Sequence, residues 1–211
     1  MMGSRKEKIV MAAMELAAEH GLSNVSMSMI ADRVGIKKPS LYKHFASKEE
    51  LIEDMYQLLR EKARESSYAK IKDHSSMFAG RTAQEILQQM VDSYISMSHQ
   101  DQMMAFYRII YSERCIQPMA ARIMAEEAER MILATKQLFY AMEVHGILHF
   151  HDADLSAVSF AMTVHGLMDF ELDRAAGGYQ SAYDGRDLLK EYIRCFCEEN
   201  AVDRDKEVDV R

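Results

Sequence analysis

The tightest constraint on this chain lies in residues 26–51, SMSMIADRVGIKKPSLYKHFASKEEL, where residues that start and stop helices alternate within a few positions. Ser26 can accept the free amides at the start of a helix whose Met27, Ile30, Ala31 and Val34 share one face, and Gly35 ends that helix after barely two turns. Gly35-Ile36-Lys37 leaves room only for a tight turn. Pro39 then falls in the first turn of a short helix over residues 38–45, where its missing N–H costs nothing. Two brief helices about such a turn form a helix-turn-helix pattern, whose second member enters the major groove of DNA.

The flanking sequence agrees. Ser4 and Glu7 make a capping box for a longer bracing helix carrying Ile9, Val10, Ala13, Leu16 and Ala17, which Gly21 stops. In the second short helix Leu41 and Phe45 are four apart and point inward, leaving Lys38, Pro39, Ser40, Tyr42, Lys43 and His44 for the groove. Tyr42 could instead shield the small core, and His44 could be an ordinary exposed histidine. Ser47 and Glu50 cap the next helix, whose N-terminus beside Lys48 suits a phosphate.

Charge separates the same region from the rest. Residues 1–48 hold eight lysines and arginines against four acidic residues, a net of +4 that leaves −11 for the remainder of a chain totalling −7. A basic head on an acidic body reads as the electrostatic footprint of a nucleic-acid binder, the alternative being chance scatter of charge over solvated faces.

This stretch resembles the N-terminal DNA-binding domain of TetR-family transcriptional regulators, matching their pattern at Ser26, Ile30, Ala31, Gly35, Leu41, Tyr42, His44, Phe45, Lys48 and Leu51. The resemblance implies a cytoplasmic, all-helical homodimer that binds double-stranded DNA at a palindrome-like operator and responds to a small effector bound by its C-terminal body. It places the base-reading positions at Ser28, Lys38, Pro39, Ser40 and Lys43, and phosphate contacts at Tyr42, His44 and Lys48. Lys37 departs from the Ser or Thr often found there. It cannot accept an amide proton, so helix 38–45 is expected to lose about 1 kcal/mol and to fray without DNA; Lys37 itself reads as a solvated cation attracted to the DNA backbone.

The expected fold is all-α, with about nine helices: a head over 1–48 and an effector-binding and dimerisation body over 49–211. A lever helix leads out of the head, residues 74–81 form a loop, and Thr82 with Glu85 caps a further helix. A helix from Asp101 follows, then a long one from Pro118 to Gly146, and helices over about 154–175 and 187–199. The tail after residue 202 is too polar to pack. The last two helices offer Val158, Met162, Leu167, Leu189, Ile193 and Phe196 as a dimer interface, the alternative being an intramolecular core. Eighteen methionines include several interleaved with aromatics on the body helices. Met90, Tyr94, Met97, Met104, Tyr107, Tyr111, Met131 and Phe139 are the candidate pocket for a hydrophobic effector; a loosely specified core would use the same residues.

Other chemistry has little support. Cys115, Cys195 and Cys197 form neither a disulfide framework nor a zinc ribbon. No apolar run has the length a bilayer requires, so a soluble cytoplasmic protein is expected. His145, His149 and His151 with Asp152 could be read as metal ligands or as a pH-sensing turn, but Gly146 interrupts the helix that would align them, and no metal or cofactor is assigned. No catalytic motif is present. Two other readings stay open: a small-molecule binder or enzyme with a vestigial head, and a DNA binder that does not switch.

Overall fold

The structure, a computed structural model, describes residues 5–68, 78–98 and 101–202, without the side chains of 62–68, 97, 98 and 101. Within these residues lie nine α-helices: α1 Arg5–His20, α2 Met27–Val34, α3 Lys38–Tyr42, α4 Lys48–Tyr68, α5 Ala83–Ser98, α6 Asp101–Glu113, α7 Pro118–Val144, α8 Ala153–Gly177 and α9 Gly185–Glu199. A 3-10 turn, Leu22–Asn24, joins α1 to α2, and an isolated bridge pairs Leu148 with Ala201. The Ser4 cap, part of the 74–81 loop and the polar tail lie outside the described residues.

The chain packs as two units, residues 1–70 with 96–126, and residues 71–95 with 127–211. The first surrounds an aliphatic and methionine-rich core. Ile9, Val10, Ala13 and Leu16 of α1 meet Ile30 and Ala31 of α2, then Leu41 and Phe45, and then Leu51, Met55, Tyr56 and Leu59 of α4. That core continues into Phe106 and Ile110 of α6 and Ala120 and Ile123 of α7. The helix-turn-helix is thus not a free-standing bundle, because its apolar faces are too short to enclose a core alone. Glu53 of α4 pairs with Arg122 of α7, and Lys6 with Asp54 at 2.9 Å.

The second unit is built on aromatic rings. Phe139 stacks on Phe150 with centroids 4.5 Å apart and meets Phe160 and Phe196 at 5.5 and 5.4 Å. Ile86, Leu87 and Val91 of α5 and Leu189 and Ile193 of α9 close around them. Offset and edge-on rings at such distances add to the burial of apolar area.

Helix starts follow local caps. Thr82 and Glu85 exchange bonds, Glu85 amide to Thr82 hydroxyl at 3.2 Å and Thr82 amide to Glu85 carboxylate at 2.8 Å. Asp152 accepts from the Leu155 amide at 2.9 Å. The last helix begins two residues earlier than its sequence suggests, capped by Asp184 through the amides of Arg186 and Asp187. A contact fourteen residues back explains the shift. The Gly185 amide donates to Glu171 at 2.7 Å, and any Cβ at Gly185 would stand 2.5 Å from the Glu171 side chain.

Candidate nucleic-acid interface

The reading head is shaped by backbone chemistry before any charge matters. The Ser26 hydroxyl accepts from the Met29 amide at 3.2 Å and starts α2. Gly35 closes it with a left-handed φ of 71°, the Gly35 amide donating to Asp32 at 3.1 Å and the Ile36 amide to Ala31 at 2.9 Å. This double closure needs a residue without Cβ strain, as the sequence supplies. Lys37 then precedes α3 with no side-chain cap, as expected. The helix nevertheless forms, but ends at Tyr42 rather than Phe45; residues 43–44 continue as turn, with the Phe45 amide still reaching Leu41 at 3.1 Å.

Leu41 and Phe45 are fully buried and anchor α3 to the core. Lys37, Lys38, Pro39, Ser40, Tyr42 and Lys43 are exposed, and His44 and Ser28 are partly so. At 43% exposure Tyr42 is no core shield, and the Lys38 ammonium lies 6.0 Å from its ring centroid.

The cations of the head divide into two sets. Arg33 pairs with Glu19 at 2.8 Å and Glu15 at 3.4 Å, and Lys6 pairs with Asp54. Lys48 is half-buried, its ammonium donating to the Leu22 carbonyl, and burial pushes its pKa below the ordinary lysine value. Among the described residues, Lys37, Lys38 and Lys43 have no ion pair. Arg5 and Lys8, in the first turn of α1, have none either, so three of the five unpaired cations of the head lie about α3. Such a surface neutralises phosphates without first breaking bonds of its own.

Two family models match this chain. Residues 9–55 fit the bacterial regulatory proteins of the tetR family, and residues 85–198 fit the C-terminal domain of AefR-like transcriptional repressors. The chain belongs to the TetR family. It is a TetR-family transcriptional regulator with an AefR-like C-terminal domain, and its all-helical fold agrees with solved relatives. A Mesorhizobium loti protein assigned to the TetR family superimposes with a TM-score of 0.67 at 19% identity, over 95% of this chain and 100% of that one. The flavonoid-responsive regulator FrrA superimposes at 0.65 with 26% identity, over 92% and 95%. In sequence, the transcriptional activator FasR of Mycolicibacterium smegmatis is 45% identical over 47 residues, 22% of this chain and of that protein. That match spans about a fifth of the curated relative's length.

The remaining site candidates fall in different places. Leu189, Ile193 and Phe196 are interior residues of the second unit, at 5%, 0% and 8% exposure, so they are corrected from interface to core. The strongly amphipathic α9 turns its apolar face to its own chain. Met162 is exposed, and Val158 and Leu167 are half-buried. Leu155 on α8 and Leu188 on α9, on the same two helices, are exposed large apolar residues.

Of the eight pocket candidates, Met104, Tyr107 and Tyr111 belong to the first unit, and Tyr107 is packed into its core. Met90, Tyr94, Met131 and Phe139 belong to the second, where Phe139 is fully buried in the aromatic cluster. The Met97 side chain lies outside the described residues. Among the described residues no three His, Cys, Asp or Glu side chains are placed to hold a metal. The histidine turn has structural partners: the His149 amide donates to Asn200 at 2.9 Å, and the His145 ring packs on Phe78 at 4.8 Å.

Sequence reasoning passed over Glu113. Its signal was present, an acidic residue at the C-terminal end of a helix, where the dipole disfavours it.

Proposed function

We propose that this TetR-family regulator reads a palindrome-like operator as a homodimer, through Ser28 on α2 and Lys38, Pro39, Ser40 and Lys43 on α3, while Lys37, Tyr42 and His44 hold the DNA backbone. The observation that carries the reading is the unpaired cationic surface of α3 on a chain whose net charge is negative. Two heads are needed because half-sites lie one helical turn or a multiple apart. The dimer surface is drawn from α8 and α9 as before, but now from Leu155, Val158, Met162, Leu167 and Leu188. The regulator works in the cytoplasm; among the described residues no helix is long and apolar enough to cross a membrane.

A small hydrophobic effector releases the DNA, which makes the protein a repressor. The AefR-like match favours repression, and the flavonoid responsiveness of the similar FrrA favours a flat aromatic effector. In the second unit Met90, Tyr94 and Met131 would supply apolar contacts and a hydroxyl. Release follows from linkage, with effector and operator weakening each other by the same factor. The protein is assigned no catalytic step. Selection from a random duplex pool tests the reading: enriched sequences should have twofold symmetry, and flat aromatic compounds should weaken their binding. No enrichment, or enrichment of an asymmetric site by a monomer, would reject it.

A further inference from the structure

Glu113 departs from a local rule and makes up for it at long range. It is the last residue of α6, where the helix end carries partial negative charge and an acidic side chain is disfavoured, yet it is only 7% exposed. Its carboxylate accepts from the Ser23 amide at 3.1 Å and from the Ser23 hydroxyl, across ninety positions of sequence. The Gln117 amide group donates to the same hydroxyl at 3.2 Å. These bonds hold the carboxyl below the usual carboxylate range.

Lys48 closes the arrangement from the other side. As the first residue of α4 it reaches back to the carbonyl of Leu22, the neighbour of Ser23, and Glu113 and Lys48 each favour the other's charged form. Leu22 and Ser23 lie in the 3-10 turn that leads from α1 into the helix-turn-helix. One carboxylate and one ammonium thus tie that turn to the end of α6 and the start of α4. Gly21, at the entrance to the turn, has φ 80°, and a Cβ there would meet Glu113 at 3.8 Å, so the turn lies directly against the carboxylate.

We propose that Glu113 and Lys48 are positioning residues for DNA binding: they clasp the α1–α2 turn to the end of α6 and so orient the recognition helix, Lys48 acting through Leu22 and not on a phosphate. This rests on the DNA-binding reading above and reassigns Lys48 from the phosphate contact that the family resemblance implies. The Lys48 ammonium is half-buried and already donates to the Leu22 carbonyl, so a phosphate would compete with that bond and with Glu113 for it. Removing either charge leaves the other partly buried and unmatched, so the two should act as one unit.

The test measures affinity of the full-length protein for a duplex enriched from a random pool and for a scrambled duplex, across a salt series. Wild type should prefer the enriched duplex; no preference would sink the DNA-binding reading itself. With that preference in hand, Lys48→Met and Glu113→Gln should each weaken enriched-duplex binding about five- to tenfold, and the double variant no more than the worse single one. The slope of log affinity against log salt should stay unchanged. A slope reduced by about 0.9 in Lys48→Met would make Lys48 a phosphate contact and overturn the proposal. So would tighter binding by Glu113→Gln, additive losses, or wild-type affinity in both variants. Glu113→Gln keeps the shape and an acceptor oxygen, so its result stands even where Lys48→Met fails to fold.

Discussion

Helices α3 and α9 both bury one face and carry cations on the other, but they treat those cations in opposite ways. In α9, Arg194 sits between Glu191 and Glu198, 2.6 Å from the latter, and Lys190 lies 3.9 Å from Asp187. Acids three and four residues away neutralise the helix from within. The five residues of α3, KPSLY, include no acid, and Lys37, Lys38 and Lys43 have no ion pair among the described residues. A self-neutralised face asks nothing of a partner. A face left positive on an acidic protein keeps its field for a polyanion.

The comparison assumes that each helix is held by its apolar side, and that is the largest effect to test. Phe139→Ala should lower stability to denaturant by about 3–5 kcal/mol, since it removes the ring on which Phe150, Phe160 and Phe196 converge. If surface pairs held α9 instead, the loss would be far smaller, and the contrast with α3 would lose its basis.

Next in size is the DNA side. Lys43→Ala should cost about 1–3 kcal/mol on the preferred duplex and relax its sequence preference, as loss of a base contact does. Lys37→Ala should weaken preferred and scrambled duplexes alike and reduce the salt slope by about 0.9. Removing Lys190 or Arg194 should alter neither; if it did, the distinction between the two faces would fail.

Cap chemistry distinguishes α2 from the uncapped α3 by about 1 kcal/mol. Ser26→Ala should destabilise the head by about that much through the start of α2. Lys37→Ser supplies α3 with the acceptor it lacks, so the thermal midpoint should rise while DNA affinity falls. A variant that gained both would show that Lys37 contributes no field to binding.

Acid provides a smaller probe. The Glu113 carboxyl is held low chiefly by the Ser23 hydroxyl. Its contribution to stability is therefore complete above the unfolded carboxylate value of about 4.3 and disappears as pH falls through the lower folded value. The thermal midpoints of wild type and Glu113→Gln should differ at pH 7 and converge in strong acid. Smallest of all is Arg194→Ala, expected to leave the denaturation midpoint unchanged within error, as exposed pairs usually do.

Features encoded within one or two helical turns were legible from the chain alone: the Ser26 cap, the Gly35 closure, the Thr82–Glu85 box, the inward Leu41 and Phe45, and the cationic surface around them. Each depends on groups three to five residues apart, so the sequence contains both partners. The site at Glu113 was not legible in this way, because Ser23 lies ninety positions away and only folding brings them together. The start of α9 was misplaced for the same reason, since the choice of Asp184 over Asp187 depends on Glu171 meeting Gly185. Leu189, Ile193 and Phe196 mark the limit most clearly. Their spacing determined that one face of the last helix had to be covered, but an apolar stripe is satisfied equally by its own chain or by another, and only the tertiary structure decided that Phe139 and Phe160 cover it.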